Sequence, residues 1–269
     1  MSTSESGGEL HRHRRVAESY GVDAERYDRT RPRYPGAMVD RLVRSCPAVD
    51  LLDVGAGTGI AARQFQAAGC TVLGVEPDAR MAEFARARGT ETEVGRFEEW
   101  DPAGRRFDGV VSGQAWHWVD AVAGAAKAAS VLRPGGRLAA FWNVAEPPAR
   151  AREAFGEVYS KVVPDALATR AFCMPTPPLG SSPFSTRTVG GIRQAGGFGE
   201  PELWRFEWEY VYDKAAWLDQ LPTQGDHSQF SREQLGEVLA GVGAAIDAMG
   251  GAFTMKYTAL VVTAALATP

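Results

Sequence analysis

The sequence is poor in cysteine, and its cysteines form no pattern that would build a disulfide framework or a zinc site. Cys46, Cys70 and Cys173 lie far apart in 269 residues and form no CxxC pair. An odd number of separated cysteines is typical of a reducing compartment, so we expect a cytoplasmic protein. No metal site is predicted, since His11 and His13 lie in a polar, basic stretch that is most simply solvated.

The sequence also lacks long apolar runs and an excess of positive charge. No stretch approaches the roughly 20 uninterrupted apolar residues of a membrane span, and residues 1–15 lack the apolar segment of a secretory signal. Lys and Arg total 29 against 33 Asp and Glu, a net charge of −4. A mildly acidic chain lacks the basic footprint that a phosphate backbone requires. We therefore expect no membrane span and no nucleic-acid partner.

Strands and helices alternate along the first half of the sequence. Apolar runs that end in glycine or polar residues predict five strands: Asp50–Val54, Thr71–Glu76, Glu91–Val94, Phe107–Ser112 and Arg137–Trp142. Helical patterns separate most of them, which favours a parallel sheet wound in βαβ units. The stretch 133–136, Arg-Pro-Gly-Gly, is predicted as a turn. Later patterns predict strands over 202–212 and 253–265, with a long helix over 232–249.

A glycine-rich turn joins the first strand to its helix. In Asp53-Val-Gly55-Ala-Gly57-Thr-Gly-Ile60, the glycines let the backbone turn sharply and approach a ligand closely. The dinucleotide fingerprint GxGxxG would need glycine where Ile60 stands, and Asp53 disfavours a pyrophosphate but suits a cationic amino-acid group. Glu76 ends the second strand, 21 residues after Gly55, where a carboxylate can bind both ribose hydroxyls.

Four motifs in this order carry a family resemblance. DVGAGTG, GVEPD, FDGVVSGQAWHW and VLRPGG resemble the motifs of class I S-adenosylmethionine-dependent methyltransferases, over residues 50–143. The QAWHWVD stretch is similar to the trans-aconitate-methyltransferase-like branch. The resemblance implies methyl transfer from S-adenosylmethionine to an O, N, S or C nucleophile of a small molecule. It also implies a Rossmann-like, doubly wound α/β sheet of seven strands, the last antiparallel, with a helical cap or insert.

The resemblance also implies which residues bind the cofactor. The glycine loop would line its methionine part, Glu76 its ribose and Met81 its adenine, and Arg31 would pair with its carboxylate. The predicted cofactor-binding residues are Asp53, Gly55, Ala56, Gly57, Glu76, Pro77, Met81, Arg96, Phe97, Gln114, Tyr27 and Arg31. Relatives commonly carry Gly-Asp-Ala-Glu after the third strand, where this chain has Gly95-Arg96-Phe97-Glu98. Adenine recognition would then use backbone groups, Glu98, or stacking under Arg96 or Phe97.

Aromatic residues and histidine follow the fourth strand. His117 lies between Trp116 and Trp118, and is the candidate catalytic residue, as a base or as an acceptor contact. The two tryptophans and His227 are the candidate substrate residues. For His117 and His227 the alternatives are a packing role and a surface role, respectively, and both stay open at this point.

Two other functions compete with methyl transfer. A nicotinamide-dependent oxidoreductase is disfavoured by Ile60 and Asp53, whereas a non-catalytic S-adenosylmethionine-binding protein would keep the glycine loop and Glu76. A nucleic-acid methyltransferase is disfavoured because residues 112–115 read Ser-Gly-Gln-Ala instead of an Asn/Asp-Pro-Pro-aromatic motif. We expect a monomer or homodimer. The expected organisation is a disordered tail over 1–15, N-terminal helices and cofactor-binding core over 16–145, a cap over 146–186 and the rest of the core over 187–269.

Overall fold

The computed structural model describes residues 20–173 and 182–267, so the predicted disordered tail lies outside the described residues. The chain divides into two compact units. Unit 1 comprises residues 1–31, 145–177 and 208–257, and unit 2 comprises residues 32–144, 178–207 and 258–269.

Seven strands form one sheet, as predicted. Their bounds are β1 Asp50–Val54, β2 Thr71–Glu76, β3 Glu91–Val94, β4 Phe107–Gly113, β5 Leu132–Glu146, β6 Glu202–Asp213 and β7 Ala252–Ala265. The strand order is β3-β2-β1-β4-β5-β7-β6, with β7 antiparallel to the parallel strands. The chain moves outward from β1 to β2 and β3, then returns to β4 on the other side of β1. This reversal of direction opens a crevice at the carboxyl ends of β1 and β4, where such sheets bind ligands.

The first four strands begin where the sequence predicts, but β5 does not. It starts at Leu132 and runs through the predicted turn at 133–136. Gly135 has a φ of +75°, and the pairing of β4 with β5 shifts register between Phe107 and Gly109. The Pro-Gly-Gly sequence therefore makes an irregularity within a long strand instead of a separate turn.

Unit 2 contains five α-helices among its described residues. They are α2 Gly36–Ser45, α3 Ile60–Ala67, α4 Ala79–Ala87, α5 Ala121–Val131 and α8 Pro183–Ala195. Successive side chains of a strand point to opposite faces of the sheet, so Leu51 packs in one apolar core and Leu52 in another. Because both faces are covered, β1 and β4 are nearly continuous runs of buried residues.

The described residues of unit 1 form five other α-helices. They are α1 Ala24–Thr30, α6 Ala149–Val162, α7 Leu167–Cys173, α9 Lys214–Gln220 and α10 Arg232–Ala248. Its separate apolar core includes Phe155, Tyr159 and Trp217. Ser231 and Gln234 form a reciprocal capping box that fixes the start of α10. Among the described residues, no helix combines the length and hydropathy needed to cross a bilayer.

Candidate functional site

The turn between β1 and α3 is built from glycines at alternate positions. Gly55, Gly57 and Gly59 have φ values of +68°, +56° and +83°, a region that side chains disfavour. A Cβ atom on Gly55 would lie only 2.4 Å from the Cβ of Ala115. The Gly55 amide donates to the carbonyl of Val75 at 2.8 Å, which holds the turn against the end of β2. The turn therefore requires glycine for its positive φ angles and, at Gly55, for its close approach to Ala115.

Glu76, at the carboxyl end of β2, is locked to this turn by main-chain hydrogen bonds. Its Oε2 accepts from the Gly57 amide at 2.8 Å and its Oε1 from the Asp78 amide at 2.9 Å. Burial raises the pKa of Glu76, and the two amide bonds act in the opposite direction. Each carboxylate oxygen can accept a second hydrogen bond. The carboxylate is thus positioned to accept from two further donors, such as the adjacent hydroxyls of a ribose.

Asp53 lies in β1, just before the same turn. It is 1% exposed, and among the described residues neither carboxyl oxygen has a hydrogen-bond partner at normal distance and angle. Burial, followed by the charge of Glu76, raises the pKa of Asp53 to about 8. A carboxyl group in this setting keeps its proton near neutral pH. The turn is therefore flanked by one hydrogen-bonded carboxylate and one unpartnered carboxyl group.

Three further predicted cofactor residues lie beside these groups. Ala56 is buried, and its Cβ lies where a side chain on Gly74 would collide, at 2.9 Å. The Met81 methyl group, on α4, lies 3.8 Å from where a Cβ on Gly57 would be. Pro77 is exposed directly after Glu76. The structure thus brings together the glycine turn, both carboxyl groups and the thioether that the sequence singled out.

The segment after β3 places Arg96 and Phe97 differently from the prediction. Arg96 is exposed, but Phe97 is buried in the core and packs against Trp116, with ring centroids 6.1 Å apart. Stacking of an adenine on Phe97 is therefore not supported, because its ring faces the interior. Glu98, the other candidate, accepts a hydrogen bond from the Asp120 amide at 3.0 Å. Backbone groups, the remaining acceptor positions of Glu98 and the exposed Arg96 are the candidates for adenine recognition.

Gln114 follows β4 in a strained conformation. Its φ is +57°, which costs a residue with a side chain roughly 1–2 kcal/mol. Its amide donates to the carbonyl of Phe141 at 2.8 Å, and its side-chain Nε2 donates to the carbonyl of Asn143 at 3.4 Å. Strained residues cluster at functional sites. Gln114 therefore ties the carboxyl ends of β4 and β5 together beside the glycine turn.

His117 lies in a short 3₁₀ helix, Trp116–Trp118, and its environment fixes its tautomer. The indole Nε1 of Trp142 lies 3.3 Å from Nδ1 of His117. Because an indole N–H can only donate, Nδ1 accepts, and the neutral imidazole carries its proton on Nε2. The ring packs 4.5 Å from the rings of both Trp118 and Phe184. This geometry favours His117 as a hydrogen-bond donor over a general base.

The prediction that Trp116 contacts the acceptor is not supported. Its side chain is 1% exposed and lies in the apolar core, whereas Trp118 is half-buried beside His117. Successive residues of a 3₁₀ helix point about 120° apart, so one of two flanking tryptophans faces inward. The sequence analysis missed Trp142 and Asn143. Their position at the predicted end of the fifth strand, next to the fourth, was the signal that could have identified them.

Tyr27 and Arg31, the remaining predicted cofactor residues, belong to unit 1. The Arg31 guanidinium carbon lies 4.8 Å from the centroid of the Tyr27 ring and 5.7 Å from that of Tyr20. Arg31 Nη2 donates to the carbonyl of Thr223, while its buried Nε has no partner in the part of the chain that the structure describes. Arg26 and Arg29, by contrast, both pair with Asp219. Arg31 is therefore a partly satisfied guanidinium on an aromatic support, which suits an anionic group.

His227 also belongs to unit 1 and is buried, so its predicted contact with the acceptor is not supported. Its Nδ1 lies 2.7 Å from the carbonyl of Gln224, and its Nε2 lies 2.5 Å from the hydroxyl of Tyr159. A carbonyl only accepts, so Nδ1 carries the proton and Nε2 accepts from Tyr159. Burial lowers the pKa of His227. Both ring nitrogens are used within the fold, which excludes the surface role as well.

Within residues 20–173 and 182–267, no group of three or more His, Cys, Asp or Glu side chains could hold a metal ion. The site in unit 2 brings together the hydrogen-bonded carboxylate of Glu76, the glycine turn and the buried carboxyl group of Asp53.

Comparisons with known proteins identify relatives of the chain. A family model described as "Methyltransferase domain" matches residues 52–140, which include the glycine turn, Glu76 and His117. An uncharacterized methyltransferase of Mycobacterium tuberculosis is 31% identical over 215 residues, covering 67% of this chain and 86% of that protein. The nocamycin O-methyltransferase of Saccharothrix syringae is 35% identical over 178 residues, covering 59% of this chain and 62% of that protein.

A solved structure shares the fold. A protein of Anaeromyxobacter dehalogenans described as a type II methyltransferase superposes with a TM-score of 0.64 and is 22% identical. The match covers 89% of this chain and 99% of that protein. At this identity the likeness shows the fold alone.

Proposed function

Because this chain belongs to the class I S-adenosylmethionine-dependent methyltransferases and uses S-adenosylmethionine as its cofactor, we propose that its acceptor is a small molecule with an O, N, S or C nucleophile. The observation that carries the cofactor site is the carboxylate of Glu76, fixed by the Gly57 and Asp78 amides with one free acceptor position on each oxygen. The relative named nocamycin O-methyltransferase supports a small-molecule acceptor and an oxygen nucleophile.

The residues present fit the cofactor. Glu76 would accept from the two ribose hydroxyls, and the turn that carries Gly55 and Gly57 would lie against the methionine part. Met81 would contact the adenine, since a thioether packs well on an aromatic ring. The roles of Arg31 and Tyr27, which belong to unit 1, stay predictions from the family resemblance. S-adenosylmethionine, when bound, supplies a methyl group activated by the positive charge on its sulfur.

The role that remains for the protein is to exclude water and to align the acceptor. Activation of the donor lies in the cofactor, so alignment is the main contribution the chain has to make. His117 would orient the acceptor by donating from Nε2, held in that tautomer by Trp142. Trp118, packed on the His117 ring, would limit the approach of water. His117 then acts as an orienting group instead of a base.

A labelling experiment tests this function. The protein is incubated with S-adenosylmethionine labelled in the methyl group and with pools of hydroxyl-, amine- and thiol-bearing small molecules, of protein and of nucleic acid. We expect label in the small-molecule fraction, lost in E76A and retained in E83Q, an exposed glutamate on α4. Label confined to protein or nucleic acid would contradict the proposal.

The role of His117 is tested with two substitutions. H117N keeps a side-chain N–H donor, and H117A removes it. Loss of a general base typically lowers the rate by about 10²- to 10⁴-fold. If His117 only orients the acceptor, H117N retains most of the activity and H117A loses more. Equal, large losses in both variants would instead indicate a base.

The family branch, the location and the partners of the protein stay predictions. The trans-aconitate-methyltransferase-like branch stays a prediction from the QAWHWVD motif. A cytoplasmic location is proposed from the three separated cysteines. The monomer or homodimer state and the absence of a nucleic-acid partner also remain predictions.

A further inference from the structure

Asp53 is a buried acid with no countercharge. It is 1% exposed, both of its oxygens lack hydrogen-bond partners, and no ion pair reaches it in the described part of the chain. An isolated carboxylate in such a site is strongly disfavoured relative to the neutral acid. The Asp53 carboxyl group therefore stays protonated unless a positive charge binds next to it.

The elements packed against Asp53 do not provide that charge. From β2, Glu76 adds a second acid, and from β4 the residue that pairs with Asp53 is the apolar Val111. From α3, the main-chain amide of Ala62 acts to lower the pKa of Asp53, but burial outweighs it. Arg63, the charged residue in the first turn of α3, donates from Nη1 to the carbonyl of Thr58 at 2.6 Å.

We propose that Asp53 gives up its proton when S-adenosylmethionine binds, and that this makes the site favour the cationic cofactor over its neutral thioether product. The inference rests on the cofactor site of the proposed function. S-adenosylmethionine carries a sulfonium charge that S-adenosylhomocysteine lacks. Stabilisation of the Asp53 carboxylate by that charge releases one proton to the buffer, with no other bond made or broken. After methyl transfer the sulfonium is gone, and the carboxyl group takes up a proton again.

The sign of the pH dependence follows from linkage. The carboxyl group is protonated in the free protein below pH 8 and ionised in the complex, so binding strengthens as pH rises to about 8 and then levels off. When Asp53 is ionised in the complex over the whole pH range, the affinity for S-adenosylmethionine increases about 25-fold between roughly pH 6.5 and 8.5. The affinity for S-adenosylhomocysteine increases much less.

Calorimetry without acceptor tests the proposal. Titrations at pH 7 in two buffers with different ionisation enthalpies count the protons released. We expect release of about 0.9 proton with S-adenosylmethionine, distinctly less with S-adenosylhomocysteine, and a loss of the difference in D53N. The amino group of the ligands titrates in the same range, at about 8, but contributes equally in both proteins, so subtraction removes it.

Each outcome decides the question. Equal proton release for both ligands, or equal release in the wild type and D53N, overturns the inference alone. Absence of binding in the wild type overturns the inference together with the cofactor site. If D53N does not fold, a ¹³C NMR titration of the Asp53 carboxyl group in the free protein replaces it. Titration near pH 8 supports the inference, and titration below about pH 5, where unperturbed carboxyl groups titrate, overturns it.

Discussion

Replacing Glu76 tests the cofactor site most directly. Its two oxygens each accept one main-chain amide, from Gly57 and from Asp78, and each keeps one acceptor position. Glu76→Gln keeps the shape of the side chain but replaces one carboxylate oxygen with an NH₂ group. This NH₂ group is a donor and would face a main-chain N–H. Glu76→Ala removes both acceptors. The two variants therefore separate loss of one ribose hydrogen bond from loss of both.

The expected loss of affinity follows from the number of hydrogen bonds that each substitution removes. A hydrogen bond to a charged group contributes about 1.5–3 kcal/mol, so two such bonds to the ribose contribute about 3–6 kcal/mol. Each 1.4 kcal/mol changes Kd about tenfold, so Glu76→Ala should weaken binding by about 10²- to 10⁴-fold. Glu76→Gln should weaken it by about 10- to 100-fold, since one bond is lost.

The assay is calorimetric titration of S-adenosylhomocysteine, with circular dichroism to verify folding. The matched control is Glu83→Gln, which removes a charge from an exposed position of α4 and should leave Kd unchanged. S-adenosylmethionine is titrated in parallel, and NAD serves as a negative ligand. A folded Glu76→Ala protein that binds within threefold of the wild type would refute the assignment of the ribose to Glu76.

Three further predictions concern the free protein. Because folding raises the pKa of Asp53 to about 8, the free energy of unfolding of the wild type should fall by at most about 5 kcal/mol as pH rises from about 4 to 8. Urea unfolding of D53N should not show this fall. If the free energies of unfolding of both proteins change with pH in parallel, the prediction is wrong. Gln114 has a φ of +57°, which glycine adopts more easily than alanine, so Q114G should be about 1 kcal/mol more stable than Q114A in thermal unfolding. The reverse order would contradict the backbone strain inferred at this position. Y159F should lose about 1–3 kcal/mol by leaving Nε2 of buried His227 without a donor, whereas the exposed Y210F should change little; equal effects would refute the buried contact.

Much of the fold is predictable because its signals are local. The predicted strand Asp50–Val54 is confirmed residue for residue, as are Thr71–Glu76 and Glu91–Val94. Apolar runs and glycine-rich turns report directly on the backbone of neighbouring residues. The Pro-Gly-Gly stretch was predicted as a turn before the fifth strand, but it lies inside β5, because the residues on either side of it, Leu132 and Arg137, both pair with β4.

In the candidate site, too, the features set by local spacing were predicted and those set by packing were not. The spacing from Gly55 to Glu76 predicts a carboxylate beside the glycine turn, and the hydrogen bond from the Gly57 amide shows that geometry. The burial of Trp116 and Phe97 could not be predicted, since it depends on which face of a short segment meets the core.

Local sequence patterns were enough to predict the order of the strands along the chain, the glycine turn and the acid at the end of β2. These follow from residue types and short spacings, which act on the backbone nearby. Tertiary structure decided the protonation and orientation of the side chains. His117 owes its tautomer to Trp142, 25 residues away, and His227 owes its burial partner to Tyr159, 68 residues away. Such partners meet only when distant segments pack, because hydrogen bonding and desolvation depend on neighbours in space.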